Sequence, residues 1–231
     1  MAFQDYSQVG YSQAPTDRDA ARRKQAPRRP ALYRDGVKRC LDILLILVTL
    51  PVTLPIGLVM MGLVALDGHS PIYCQQRIGR GGRIFCMVKI RTMVPGADAL
   101  LKRYLDADPE TRREWDETQK LKSDPRITRI GRVLRKCSLD ELPQLWNVLK
   151  GDMSLVGPRP MMVDQEKLYP GTAYFHLRPG ITGLWQISDR NDSSFAARAG
   201  FDSRYLATLS LRRDVAILFR TVMVVLRGTG Y

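Results

Sequence analysis

Two adjacent carboxylates, Asp140 and Glu141, are the residues of this 231-residue chain best placed to do chemistry. Apolar residues follow them at helical spacing as far as Gly151, and Ser138 is positioned to cap a helix, so we predict a helix over residues 138–151. A carboxylate at a helix N-terminus, among cations, is suited to act on a bound phosphate. The nearby cations are Arg132, Arg135 and Lys136.

The same residues also have a purely structural interpretation. Ser138 and Glu141 fit a capping box, in which each side chain satisfies a backbone donor of the first turn. An acidic residue in that turn also favours the helix dipole. On these residues alone helix capping is the simpler explanation. The rest of the sequence has to decide between capping and a catalytic role.

The composition limits the kinds of partner and metal site that the protein can have. The net charge is +13 and the isoelectric point is about 9.9, which predicts an anionic partner: nucleic acid, a membrane surface or phosphorylated substrates. The four cysteines form no C-x-x-C pair and the two histidines stand apart. We therefore expect neither a zinc site nor a disulfide framework, and we place the polar part in a reducing compartment.

A long uncharged segment follows a polar N-terminal tail. Residues 1–36 have no apolar period and are predicted to form a disordered basic tail. Residues 43–66 carry no charge and, at about 1.5 Å per residue, are long enough to span a bilayer. Pro51 and Pro55 interrupt this segment, and basic residues flank both of its ends. A re-entrant helix, a spanning helix and a buried core helix all remain open at this point.

The remaining chain predicts an α+β fold that is mostly helical. Two β-rich segments, 72–78 and 83–90, are joined by a glycine-rich turn and predict a small basic hairpin. Helices are predicted over 97–122 with a break at Pro109, and over 126–136, 194–210 and 214–227. The last is amphipathic, and its apolar face suits either the core or a membrane interface.

Four motifs in a fixed order resemble those of the monotopic phosphoglycosyl transferases, which are bacterial sugar transferases. They are Lys38-Arg-x-x-Asp42 before the proline-containing helix, SLDELPQL at 138–145, NVLKGDMSLVGPRP at 147–160 and RPGITGLWQ at 178–186. The resemblance extends from about residue 38 to 228. It implies a tail over 1–36, a re-entrant membrane helix over 37–68, and a compact helical catalytic domain over 69–231 with interfacial amphipathic helices.

The resemblance implies a reaction. A UDP-sugar donates its hexose 1-phosphate, glucose or galactose, to undecaprenyl phosphate and UMP is released, which begins exopolysaccharide synthesis. Asp140 is the implied nucleophile, and Glu141 is the implied ligand of Mg²⁺. The implied contacts to phosphate or nucleotide are Arg135, Pro158, Arg159, Pro160 and Arg178. The implied location is the inner (cytoplasmic) membrane of a bacterium, with the catalytic domain in the cytoplasm.

The family also gives the apolar helix a role. Its helix re-enters the cytoplasmic leaflet and breaks at a Ser-Pro pair, where this chain has Leu54 and Pro55. Pro51 and Thr53 are candidates to compensate for the missing hydroxyl. Lys38, Arg39 and Asp42 are expected to anchor the helix at headgroup level, and Asp42 to pair with a basic residue.

Two other functional classes would each explain part of the sequence. A nucleic-acid-binding protein would explain the charge but not the apolar helix, so no nucleic-acid partner is expected. A membrane scaffold would keep that helix but would not need the Asp140–Glu141 pair. The sequence leaves the sugar and a homo-oligomeric state open.

Overall fold

The computed structural model describes residues 32–118, 121, 124–188 and 195–226. The tail predicted over 1–36 lies mostly outside these residues. Its last part does not: Tyr33–Val37 form a π-helical turn that continues directly into helix α1, Lys38–Ala65. Arg34 in this turn is buried and pairs with Asp35. Residues 33–36, which were predicted to belong to a disordered tail, are therefore helical.

Helix α1 runs through both prolines without interruption and has a length of about 42 Å. The segment Tyr33–Ala65 is long and apolar enough to cross a membrane. Its buried positions within α1 include Asp42, Ile46, Gly57 and Val64, which fall on one face, whereas most of its other apolar side chains are exposed. The helix thus lies with one stripe against the rest of the chain.

The Thr53 hydroxyl does not replace the missing serine hydroxyl in the way that the sequence suggested. Thr53 Oγ1 donates to the Thr49 carbonyl at 3.1 Å. The carbonyls that lose a donor to the prolines belong to Leu47 and Pro51, four residues before each ring. Thr53 therefore bonds to a carbonyl other than the two that the prolines free.

The predicted hairpin is confirmed. Strands β1, Ile72–Ile78, and β2, Ile84–Ile90, pair antiparallel, with Ile72 opposite Ile90 and Ile78 opposite Ile84. Cys74 and Cys86 are paired across this hairpin, which corrects the expectation of cysteines without a disulfide framework. The register of the two strands explains this pairing. The antiparallel arrangement brings the Cα atoms of Cys74 and Cys86 to 5.7 Å, a proximity that the spacing in the sequence does not reveal.

Each of the other helices overlaps a predicted segment. They are α2 (Ala97–Ala107), α3 (Pro109–Thr118), α4 (Arg129–Lys136), α5 (Gln144–Lys150), α6 (Arg198–Ala207) and α7 (Leu211–Leu226). Two short strands were not predicted, β3 (Ser154–Val156) and β4 (Gly180–Thr182), which pair in parallel. They lie in the glycine- and proline-rich motifs, whose composition suggested only turns.

Close backbone approach explains the glycines of those motifs. A Cβ atom on Gly157 would lie 2.3 Å from the Arg178 carbonyl oxygen, and one on Gly180 would lie 2.1 Å from the Gly157 nitrogen. Glycine alone permits this contact. The two motifs are therefore one structural unit, joined backbone to backbone.

The core ties α1 to the remaining elements. Ile46 of α1 packs with Phe85 and Met87 of β2 and with Val148 of α5. At the other end of α1, Val64 packs with Ile90 and Leu134. Two further clusters centre on Tyr169 with Tyr174, and on Tyr205 with Ile217. Both ends of the apolar helix thus rest on the same domain.

Candidate active site

The Asp140–Glu141 pair sits in a tight turn that precedes a helix. Residues Leu139–Glu141 form one 3₁₀ turn, and α5 begins only at Gln144. The predicted helix start at Ser138 is wrong, since Ser138 has a left-handed backbone (φ 55°) and its side chain makes no capping bond. Pro143 lacks an N–H donor, which suits it to the position just before a helix. The predicted end at Gly151 is confirmed by its left-handed conformation.

The turn brings both carboxylates to one lysine. Lys89 on β2 places its Nζ 2.9 Å from Glu141 Oε1 and 3.6 Å from Asp140 Oδ2. Asp140 is only 8% exposed. Burial raises the pKa of Asp140, Lys89 and Arg135 lower it, and the Glu141 charge raises it. The net effect is a raised pKa for a desolvated carboxylate that is held close to a cation.

Arg135 joins this group from the end of α4. Its Nε donates to Thr92 Oγ1 at 2.9 Å, which fixes the guanidinium near Asp140. Burial lowers the pKa of Arg135, and the nearby charge of Asp140 opposes that shift. The α4 backbone can approach Thr92 closely because a glycine, Gly131, stands where a Cβ would meet the Thr92 oxygen at 2.0 Å.

The Pro-Arg-Pro segment forms a different part of the surface. The Arg159 guanidinium lies over the Trp185 ring at 5.8 Å. The carbonyl of Pro158 accepts from Gly180 N at 2.8 Å, and that of Pro160 accepts from Arg77 at 3.1 Å. The two prolines thus hold the loop that presents Arg159.

Arg178 belongs to a third group. Its Nε donates to the carbonyl of Gly151 at 3.1 Å, at the end of α5. Burial lowers the pKa of Arg178, and its charged neighbours are Arg80, Arg39 and two aspartates. The structure therefore places Arg178 beside the start of α1, apart from the Asp140 turn.

The start of α1 is anchored by buried polar contacts. Lys38 Nζ lies 2.6 Å from Asp214 Oδ2, with both side chains under 10% exposed. Arg39 donates to the carbonyls of Val148 and Leu149. These two cations therefore hold α1 against the domain.

The hydrogen-bond partners of Asp42, on the same helix, differ from the expected basic residue. Its carboxylate accepts from Ser154 Oγ at 2.7 Å and from the Leu155 N–H at 3.3 Å. Two neutral donors of β3 therefore hydrogen-bond to Asp42, and the positive charge of Lys38, one turn earlier on α1, also acts on it. The polar residues of the first motif join α1 to the motifs that follow.

The donor set fits a hard cation better than zinc. Among the described residues, no three His, Cys, Asp or Glu side chains are grouped to hold a metal. Mg²⁺ is commonly bound by one or two carboxylates together with substrate phosphates and water. The Asp140–Glu141 pair suits that arrangement.

Sequence reasoning missed several residues of these sites. Lys89 was contained in the predicted strand, but only the packing of the Asp140 turn against that strand brings its ammonium within 3.6 Å of Asp140. Asp214, the partner of Lys38, is 176 residues away in the sequence. Strand alternation would have placed Lys89 on one face, but no local signal identifies Asp214.

Comparison with known proteins agrees with this arrangement. The sequence profile described as "Bacterial sugar transferase" matches residues 33–228. The chain belongs to the bacterial sugar transferase family. The match covers nearly all of the described residues, including the Asp140 turn, Arg159, and the anchor of α1.

Named relatives share the same region. The UDP-galactose-lipid carrier transferase of Erwinia amylovora is 50% identical over 196 residues, 84% of this chain and 41% of that protein. The undecaprenyl-phosphate galactose phosphotransferase of Salmonella typhimurium is 48% identical, with the same two shares. The exopolysaccharide production protein ExoY of Sinorhizobium fredii is 46% identical over 84% of this chain and 87% of that protein. The chain thus spans under half of the first two relatives and most of the third.

Proposed function

We propose that this protein transfers a hexose 1-phosphate, from UDP-glucose or UDP-galactose, to undecaprenyl phosphate and releases UMP, as the first membrane step of exopolysaccharide synthesis. The observation that carries the proposal is the buried Asp140 carboxylate, held 3.6 Å from Lys89 in a turn that also presents Glu141. The names of the relatives support the substrates, and two of them specify galactose.

The geometry supports a two-step transfer through Asp140. Its carboxylate attacks the sugar-bearing phosphorus of the UDP-sugar, and the bond to the bridging oxygen of UMP breaks. An oxygen of undecaprenyl phosphate then attacks the same phosphorus and releases Asp140. Two displacements replace one difficult transfer between two anions.

The surrounding cations reduce the repulsion between Asp140 and the diphosphate. Lys89 and Arg135 both lie near Asp140 and carry positive charge into a partly desolvated site, where electrostatic stabilisation is strong. Glu141 would hold Mg²⁺, which when bound would neutralise charge on the diphosphate. Lys89 also orients Glu141 at 2.9 Å and so couples the two carboxylates.

The test is UMP release by detergent-solubilised protein with undecaprenyl phosphate and a panel of UDP-sugars. Asp140→Asn is expected to abolish turnover while it leaves the unfolding temperature nearly unchanged, because an amide cannot form the acyl phosphate. EDTA should remove wild-type activity and Mg²⁺ should restore it. A tenth of wild-type turnover in Asp140→Asn would contradict the covalent mechanism, and full activity in EDTA would contradict the metal requirement.

The position of α1 supports a re-entrant arrangement in the cytoplasmic leaflet. Ile46 and Val64 pack on the same domain near opposite ends of the helix. A helix that crosses a bilayer directly separates its two ends by about 30 Å of hydrocarbon, and one domain could not contact both. The exposed apolar side chains between these contacts are left to face lipid.

Cysteine labelling tests this topology. Single cysteines replace Ser12 in the tail and Ser70 just after α1, in a variant without native cysteines. Both are expected to react only when a membrane-impermeant reagent has access to the cytoplasmic side. Reaction of the two positions from opposite sides would refute the re-entrant arrangement.

A further inference from the structure

Cys74 and Cys86 form a sulfur pair on one face of the β1–β2 hairpin. In the register of the two strands, Cys74 lies opposite Val88 and Cys86 lies opposite Gln76, so the two cysteines are diagonal neighbours. Residues two apart on a strand share a face, and so do residues that lie directly opposite each other. Both sulfur atoms are therefore on the same side of the hairpin, where the structure joins them. We call these two residues the cysteine pair.

The cysteine pair lies on the outward face of the hairpin. Cys74 is exposed and Cys86 is half-buried. Residues of the opposite face point into the protein, where Phe85 and Met87 are buried in the core. A dissolved thiol or disulfide can therefore reach the cysteine pair, and it reaches Cys74 more easily than Cys86.

The backbone ladder and the core hold the hairpin independently of the sulfur bond. Each strand has seven residues, and they pair from Ile72 opposite Ile90 to Ile78 opposite Ile84. Ile78 and Ile90 are each 1% exposed, so packing secures both ends of the ladder. The Cα atoms of the cysteine pair are 5.7 Å apart, within the range that a disulfide spans without backbone movement. The same backbone therefore accommodates two thiols or one disulfide.

The other edge of β2 connects the cysteine pair to the candidate active site. Asn147 of α5 donates from Nδ2 to the carbonyl of Cys86 at 2.7 Å and accepts from the Val88 N–H at 3.0 Å. The next residue, Lys89, carries the ammonium that lies 3.6 Å from Asp140. A sulfur bond to β1 on one side and the Asn147 amide on the other fix this part of β2 between two neighbours. Oxidation of the cysteine pair therefore restricts the strand that presents Lys89.

The compartment determines which chemistry such a pair undergoes. The re-entrant topology proposed above puts the hairpin on the cytoplasmic side, where small thiols keep most disulfides reduced. An exposed disulfide is open to attack by thiolates and exchanges with the surrounding thiol pool. The identity of the exchanging reagent, though not the position of the site, thus rests on the proposed function.

We propose that Cys74 and Cys86 are a reversible redox modification site that exchanges with low-molecular-weight thiols and disulfides. The Cys74 thiolate attacks one sulfur of a small disulfide, which forms a mixed disulfide and releases one small thiol. The Cys86 thiolate then attacks the Cys74 sulfur, which forms the protein disulfide and releases the second small thiol. The two protein sulfurs lose two electrons to the small disulfide, and the protons of both cysteines end on the released thiols. Two small thiols reverse both steps.

Equilibration of the full-length protein in detergent with glutathione tests the reversibility. The ratio of oxidised to reduced glutathione is varied, thiols are trapped by alkylation, and the masses of the peptides that contain the cysteine pair are measured. We expect the disulfide to rise from almost none to almost all of the protein and to disappear when reduced glutathione is added back. A pair that stays reduced in oxidised glutathione alone, or oxidised in reduced glutathione alone, overturns the proposal. A variant with Cys40→Ser and Cys137→Ser is the control and should titrate like wild type, because those two cysteines are free.

Single variants test the order of attack. Cys86→Ser leaves the exposed thiol without its partner and should accumulate a glutathione adduct at Cys74. Cys74→Ser should form an adduct at Cys86 about tenfold more slowly, because the rate of exchange follows access to the thiolate. Equal rates in the two variants, or no adduct in either, contradict the order of attack that the proposal states.

Amide hydrogen exchange tests the link to β2. Peptides that contain Val88 and Lys89 should exchange at least about threefold more slowly in the oxidised than in the reduced protein, because the sulfur bond opposes local opening of the strand. Peptides from α6 are the control and should exchange equally in both states. Equal exchange of the β2 peptides would refute the link. None of the three measurements uses turnover, so their outcome is independent of the Asp140→Asn test.

Discussion

Replacing Lys89 with methionine tests how the site activates Asp140. The substitution removes the ammonium that lies 3.6 Å from Asp140 and 2.9 Å from Glu141 and keeps an unbranched side chain. Burial already raises the pKa of Asp140, and Lys89 opposes that shift. Without Lys89 the pKa rises further. Because only the ionised carboxylate attacks phosphorus, the acid limb of kcat against pH should move to higher pH.

The charges set the size of the effect on rate. Two unit charges about 4 Å apart interact by about 4 kcal/mol at an effective dielectric constant near 20. The Lys89 side chain is 20% exposed, so water can replace part of that interaction. If half is lost, about 2 kcal/mol corresponds to a decrease of about 30-fold in the ionised fraction of Asp140, and hence in kcat, on the acid limb of the pH profile.

The assay is UMP release between acidic and alkaline pH. Lys89→Arg, which keeps the charge, should retain more activity than Lys89→Met and leave the acid limb closer to that of wild type. Lys150→Met is the control, because Lys150 pairs with Asp152 at 3.1 Å but is half exposed. A Lys89→Met enzyme with kcat within twofold of wild type and an unmoved acid limb would refute the argument.

Two further predictions concern stability, measured by unfolding of the solubilised protein. Lys38→Met should lower the free energy of unfolding by about 3–5 kcal/mol, because it leaves the buried Asp214 charge without its cation. Adding Asp214→Asn should recover much of that loss, and no recovery would argue against the pair. Gly157→Ala should lower the unfolding temperature because its Cβ would meet backbone oxygen at 2.3 Å. Gly200→Ala, with nothing within 4 Å, should not lower it, and equal effects would contradict the close-approach argument.

The sequence alone determined the local elements. Two β-rich segments predicted the hairpin, and apolar residues at helical spacing predicted most of the helices. A long uncharged stretch predicted α1. These features depend on neighbours in the chain, which is why they can be read from spacing. The two candidate carboxylates could also be identified from the sequence, because Asp140 and Glu141 are adjacent and the motifs around them are specific. The prediction failed where backbone geometry overrode a capping pattern, at Ser138.

Only the tertiary structure decided which residues surround those carboxylates. The packing of the Asp140 turn against β2 brings Lys89 to Asp140, and the packing of α7 brings Asp214 to Lys38. The same packing separates three arginines that the motifs had placed together: Arg135 joins the Asp140 turn, Arg159 faces Trp185, and Arg178 lies beside the start of α1. Contacts between residues far apart in the chain depend on the burial of a shared core, and no local pattern records them.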